Sequence, residues 1–276
     1  MNILFIGDIF GRPGRELVRD GLAALVDRYA VDFVVANAEN SAGGFGITRE
    51  IGDELLDRGV DVMTSGNHIW DKKEAMDYIA AETRLLRPAN YPAGVPGRGS
   101  YVGRTREGRA VGVLNLMGRV FMANIDDPFA VALRELETLR ERTRIVLVDF
   151  HAEATSEKQA MGWHLDGRVT AVFGTHTHVQ TADEQILPGG TAYITDAGMT
   201  GPHDGIIGVE RGPALARFLT AMPVRFDPAS GDPRFHGVLL QADEQTGRAQ
   251  SVTRLSLTSD ELRRLPREDA AAEPIR

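Results

Sequence analysis

The chain has 276 residues, 42% of them hydrophobic, which is enough to bury a substantial core in one large α/β domain or two small ones. Its 31 basic and 39 acidic residues leave a net charge of -8, which argues against binding duplex DNA through a broad basic face. Cysteine is absent, so disulfides, thiolate metal sites and a cysteine nucleophile are excluded, and any metal must be held by His, Asp, Glu or Asn.

The opening MNILFIGDIF is apolar but lacks a basic leader and meets Asp8 early, which argues against a secretory signal. No stretch approaches the roughly 20 unbroken apolar residues of a membrane span, so no membrane contact and a cytoplasmic location are expected. The first third repeats a strand-then-helix pattern. NILFIG, DFVVAN and VDVMTS are short β-branched runs, each leading through a Gly- or Asn-containing turn towards a helix-periodic segment such as RELVRDGLAALVDRY or REIGDELLDRG. Buried parallel strands with right-handed crossovers are expected from it.

After Pro88, Pro92 and Pro96 the pattern changes, and SYVGRTREGRAVGVLNLMG reads as a hairpin turning at EGR. PFAVALRELETLRER reads as a helix, RIVLVDFHAE as a strand, EKQAMGWHL as a helix and TAVFGTHTH as a further strand. TAYITDAG and the pair FHGVLLQAD and AQSVTRLSL, flanking a QTG turn, continue in β structure. The mixture predicts an α/β fold of two packed sheets with helices outside, in a single domain over residues 1–258. Residues 259–276 are expected to form a C-terminal tail, starting with a short helix and then partly disordered.

Metal-capable groups recur at the ends of these strands. Asp8 follows the first, Glu39 and Asn40 the second, and Asn67 and His68 the third, while His151 ends RIVLVDFH and His176 and His178 end TAVFGTHTH. If the last run stays extended, His176 and His178 share one face. Each group has an ordinary structural role open to it: Asp8 as a turn or cap residue, NAEN and SGNH as polar loops, His151 as a satisfied core histidine. Their joint placement at five strand ends, where open α/β sheets build their sites, favours a common function. His164, beside Trp163, and His236 lack such placement and read as structural or surface residues, and His203 in a glycine-rich loop has a weak case.

The order GD, EN, GNH, H and GTHTH resembles the calcineurin-like metallophosphoesterases, and its details are similar to the YmdB-like branch of bacterial phosphodiesterases. The resemblance implies a four-layer α-β-β-α sandwich of two mixed sheets flanked by helices. It also implies two divalent metal ions, Fe or Mn with Zn as the alternative. Asp8, Asn40 and His178 would hold one ion, Asn67, His151 and His176 the other, with Glu39 between them. The common family pattern begins D-x-H, whereas this chain has Phe10 in the histidine's place, so Asn40 is the implied substitute. The implied reaction is hydrolysis of a small phosphodiester, 2′,3′-cyclic nucleotides first, by a metal-bound hydroxide with His68 as the acid. An RNA-linked role and self-association stay open. The rival readings are a phosphomonoesterase or nucleotidase on the same scaffold, and a metal-binding regulatory module with little turnover.

Overall fold

The computed structural model describes residues 1–265, so most of the expected frayed tail lies outside the described residues. In chain order the elements are β1 (Asn2–Ile6), β2 (Asp8–Ile9), α1 (Gly11–Tyr29), β3 (Phe33–Asn37), α2 (Arg49–Asp57) and β4 (Val62–Thr64). A 3-10 turn at Asn67–Trp70 precedes α3 (Ala75–Ala81), β5 (Ser100–Arg104), β6 (Ala110–Met117), α4 (Pro128–Arg140), β7 (Val146–His151), α5 (Thr155–His164) and β8 (Ala171–Thr175). Then come β9 (Gln185–Ile186), β10 (Ala192–Ile194), β11 (Met199–Pro202), α6 (Arg211–Thr220), β12 (Pro233–Ala242), β13 (Ala249–Thr258) and α7 (Ser259–Arg263).

One sheet runs β2-β11-β12-β1-β3-β4, with β13 paired to β12, and the other runs β5-β6-β7-β8-β10-β9. Both are mixed. β1, β3 and β4 are parallel in the first sheet, and β6, β7 and β8 in the second. The inner faces interdigitate through Ile3, Phe5, Phe33, Val113, Leu147 and Phe173, with the Phe5 and Phe173 rings stacked at 4.6 Å. The outer face of the first sheet is covered by α1, α2 and α3 through Leu22, Leu25, Leu55 and Tyr78, and that of the second by α4 and α5 through Leu136 and Met161. The architecture is the four-layer α-β-β-α sandwich expected.

Local chemistry sets the helix ends. The Thr48 hydroxyl accepts from Ile51 N at the start of α2, and Asp127 accepts from Phe129 N before Pro128 opens α4. Thr258 and Glu261 form a reciprocal capping box on α7, whose buried Leu262 packs against Gly21 of α1. Two local expectations need correction. The first helix starts at Gly11, ahead of Arg15, because Pro13 fits a first turn whose N–H groups have no helical acceptor. TAVFGTHTH also does not stay extended: β8 ends at Thr175, and His176 and His178 have φ of 98° and 68°. Side-chain alternation along a strand therefore does not place these two imidazoles.

No helix of the described residues is long and apolar enough to cross a membrane. Truncating Phe5 to Ala, which leaves a void between the sheets, is expected to lower unfolding stability by about 3–5 kcal/mol. Urea denaturation followed by circular dichroism measures it.

Candidate metal centre

Parallel strands direct their C-terminal ends to one edge of each sheet, and stacking brings the two edges together. β1 and β3 lead there to Asp8 and Glu39, and both side chains are fully buried. Each carboxylate divides its oxygens. Asp8 Oδ2 accepts from His176 N at 3.3 Å and Glu39 Oε2 from His68 N at 2.9 Å, fixing two loops. Asp8 Oδ1 is buried without a hydrogen-bond partner, and Glu39 Oε1 faces His151 Nε2 at 2.9 Å, where it meets a donor only when that ring carries a proton on Nε2. Leaving such acceptors unpaired is expensive unless a positive charge faces them.

His151 shows where that charge belongs. Its Nδ1 lies 2.9 Å from Thr175 Oγ1, whose hydroxyl donates to Asp149 Oδ1 at 2.7 Å. Thr175 therefore accepts the Nδ1 proton, and in the neutral ring Nε2 is a lone pair. That lone pair meets three further electron-rich atoms: Glu39 Oε1 at 2.9 Å, Asn67 Oδ1 at 3.0 Å and His176 Nδ1 at 3.0 Å. Glu39, His151 and His176 each offer a ligand atom, all within 4.8 Å of one another. With the His176 Nε2–H directed at Glu153 Oε2, 3.1 Å away, its Nδ1 is a lone pair, and with Asn67 Oδ1 turned to the ring a proton or a metal cation satisfies such a convergence.

Without a cation a proton takes the place. Burial works against a charged His151 ring, but the Glu39 carboxylate beside it prevails and pushes its pKa up to about 9. Burial likewise opposes the Glu39 charge, and His151 overcomes it, holding that carboxyl at about 2. Burial, aided by repulsion from His151, drives His176 down to about 3. Asp8 sits well above the usual carboxylate range, mainly through burial.

The second group gathers around His178. Its Nδ1 lies 2.8 Å from the Ile207 carbonyl oxygen and donates to it, so Nε2 is the free lone pair, 3.7 Å from Asp8 Oδ1 and 3.2 Å from Asn40 Nδ2. A half-turn of the Asn40 amide exchanges its nitrogen and oxygen in place and presents Oδ1 to a cation. Imidazole, carboxylate and amide donors suit divalent metal cations, so the residues present fit metal binding.

Several supports carried no signal in a motif. Asp149, two residues before His151 on β7, is buried, and it accepts from Thr64, Thr175 and Asn37. Burial lifts its pKa to about 6. The only available clue was a lone carboxylate inside an apolar strand, on the same face as the histidine. Asn115 clamps Ser65 by bonds of 2.9 Å to its N–H and its carbonyl. Gly66 is required by contact, because a Cβ there would lie 2.0 Å from His151 Cδ2. Asp196, paired with buried Lys158 at 2.6 Å, accepts from Thr177 N and Gly198 N and so holds the turn between the two histidines.

Asp8, Glu39, Asn40, Asn67, His68, His151, His176 and His178 thus form one continuous cluster of contacts. His203 packs instead against His236 with ring centroids 4.5 Å apart, and His164 lies edge-on to Phe129.

A family model described as YmdB-like protein matches residues 4–255. The chain is 49% identical over 263 residues to a Bacillus subtilis 2′,3′-cyclic-nucleotide 2′-phosphodiesterase, covering 95% of this chain and 99% of that one. A putative phosphatase/phosphodiesterase of Mycoplasma pneumoniae is 34% identical over 272 residues, covering 96% of each. Among solved structures, a hypothetical protein from Thermus thermophilus superposes with a TM-score of 0.88 at 44% identity, covering 94% of this chain and 99% of the other. A Mycoplasma pneumoniae novel phosphatase gives a TM-score of 0.87 at 32% identity, covering 94% and 93%.

The protonation pattern sets a test. At neutral pH the metal-free His151, with its pKa near 9, carries a proton that a cation must displace, and the raised Asp8 pKa acts in the same direction. Mn²⁺ uptake is therefore expected to release protons and to strengthen by about tenfold per pH unit between pH 7 and 9, levelling off above. Calorimetric titration in buffers of different ionisation heat counts the protons, and a count near zero contradicts this picture.

Proposed function

We propose, from the premise that this chain belongs to the YmdB-like protein family, that it is a metal-dependent phosphodiesterase acting on small phosphodiesters, 2′,3′-cyclic nucleotides first. The observation that carries the reading is the meeting of four lone-pair atoms at His151 Nε2, beside a histidine that none of them engages. Asp8, Asn40 and His178 would hold one divalent ion and Asn67, His151 and His176 the other, with Glu39 shared. Fe or Mn are the ions the family resemblance implies, with Zn the alternative that the mixed oxygen and nitrogen donor set also admits. Such ions supply Lewis-acid polarisation of the phosphoryl oxygens and water ionised at neutral pH.

The protein's own groups do the rest. Asp8 and Glu39 are the two carboxylates in the proposed ligand set, so two divalent ions would leave that set with a positive balance that draws an anionic ester, while Glu153 pairs with His176 Nε2 at 3.1 Å. His68 is placed by its backbone N–H on Glu39 Oε2, and its ring Nδ1 lies 2.7 Å from Asp71 Oδ2. With Nδ1–H given to Asp71, Nε2 is the atom that, when it carries a proton, delivers it to the departing alkoxide. Its side chain is 28% exposed, so substrate can reach it.

Replacing His68 by Ala is expected to lower kcat by about 10²–10⁴-fold while two metals remain bound, whereas Asp8→Asn loses metal first. Steady-state kinetics with elemental analysis of the same samples separates the two. The reading itself is tested by assaying Mn-loaded protein on 2′,3′-cyclic nucleotides, a bis-aryl diester and a phosphomonoester. Preference for the monoester favours a phosphatase, and inactivity on all three with two metals bound favours a regulatory module.

A further inference from the structure

Between Asn40 and Ile47 the chain makes a tight loop, closed by Gly44 N to Asn40 O at 3.1 Å and Ala42 N to Gly46 O at 2.9 Å. Gly43, Gly44 and Gly46 have φ of 71°, 91° and 78°, conformations that side chains rarely adopt. A Cβ on Gly44 would lie 2.9 Å from Phe10 Cζ, so the loop is pressed onto the interior there. Ordering three glycines is entropically unfavourable, and the loop's one large side chain is Phe45. That ring is half-buried and meets His68 edge-on, with centroids 5.1 Å apart and planes at 69°. An aromatic ring is thus fixed beside the proton donor, on a loop that starts at a proposed metal ligand.

An oxygen that receives a proton from His68 departs from a ring whose centroid lies 5.1 Å from that of Phe45. When the 2′ ester bond of a 2′,3′-cyclic nucleotide breaks, as the name of the Bacillus subtilis relative describes, that oxygen sits on the sugar carbon next to the one bearing the base, so the base lies a few ångströms from the leaving atom. We propose that Phe45 is a specificity-determining residue that stacks against the nucleobase and selects base-bearing cyclic phosphodiesters over base-free ones. This rests on the phosphodiesterase reading and on His68 as acid, and it adds a recognition element for the base that no sequence motif announced.

The experiment compares 2′,3′-cyclic AMP with methyl riboside 2′,3′-cyclic phosphate, which keeps the sugar and the diester but has no base. Wild type, Phe45→Leu and Phe45→Trp are assayed as Mn-loaded full-length protein. In wild type, kcat/KM is expected to favour the base-bearing substrate. In Phe45→Leu that preference falls by roughly tenfold, carried mainly by KM, as expected for losing one base–aromatic stack, and Phe45→Trp restores it. A preference unmoved by Phe45→Leu, with kcat falling alike on both substrates, means that the ring only steadies His68 and overturns the assignment. Wild-type inactivity on both substrates removes the phosphodiesterase reading and the assignment with it, an outcome distinct from activity without discrimination.

Discussion

Two carboxylates, Asp8 and Glu39, are taken completely out of water within a few ångströms of three imidazoles, and nearly every other feature of the site answers that arrangement. An isolated ionised carboxyl in such surroundings would take up a proton. The two acids respond differently. Glu39 stays ionised because His151 stands against it, while Asp8 has a weaker cationic neighbourhood and its pKa climbs. The buried acceptors of the site are thus arranged for more positive charge than the side chains alone provide.

What keeps those groups from drifting apart is a buried polar seam between the sheets. Asp149 on β7 gathers hydrogen bonds from Asn37 on β3, Thr64 on β4 and Thr175 on β8, so one carboxylate joins three strands of two sheets. Thr175 passes the constraint to His151. The ring is therefore oriented by the same contacts that register one sheet on the other, and site geometry is coupled to sheet packing.

Much of this was legible in the residues because strands buried on both faces read as unbroken apolar runs, and polar residues at their ends stand out. Asp8, the EN pair, GNH and the histidines were found that way. The turned geometry of His176 and His178 was not, because its causes are remote: Asp8, 168 positions earlier, takes the His176 N–H, and the Ile207 carbonyl takes the His178 proton. Asp149 was equally silent, since a single acid within VLVDF gives no hint of three partners on other strands. Phe45 could not have been singled out, because its meaning lies in a ring contact with a residue on another loop.

The split duty of each acid bears on which replacements the site can absorb. One oxygen of Asp8 takes a backbone N–H while the other looks into the cage, so the side chain must be an acceptor at both ends. A primary amide has a single acceptor end, and in either orientation its NH₂ opposes a donor or a cation. Asn40 and Asn67 carry no such double obligation: Asn67 offers its oxygen to the centre, Asn40 does so after a half-turn of its amide, and neither has to hold a neighbouring loop by its other end. Interchange between acid and amide is therefore one-directional around this centre.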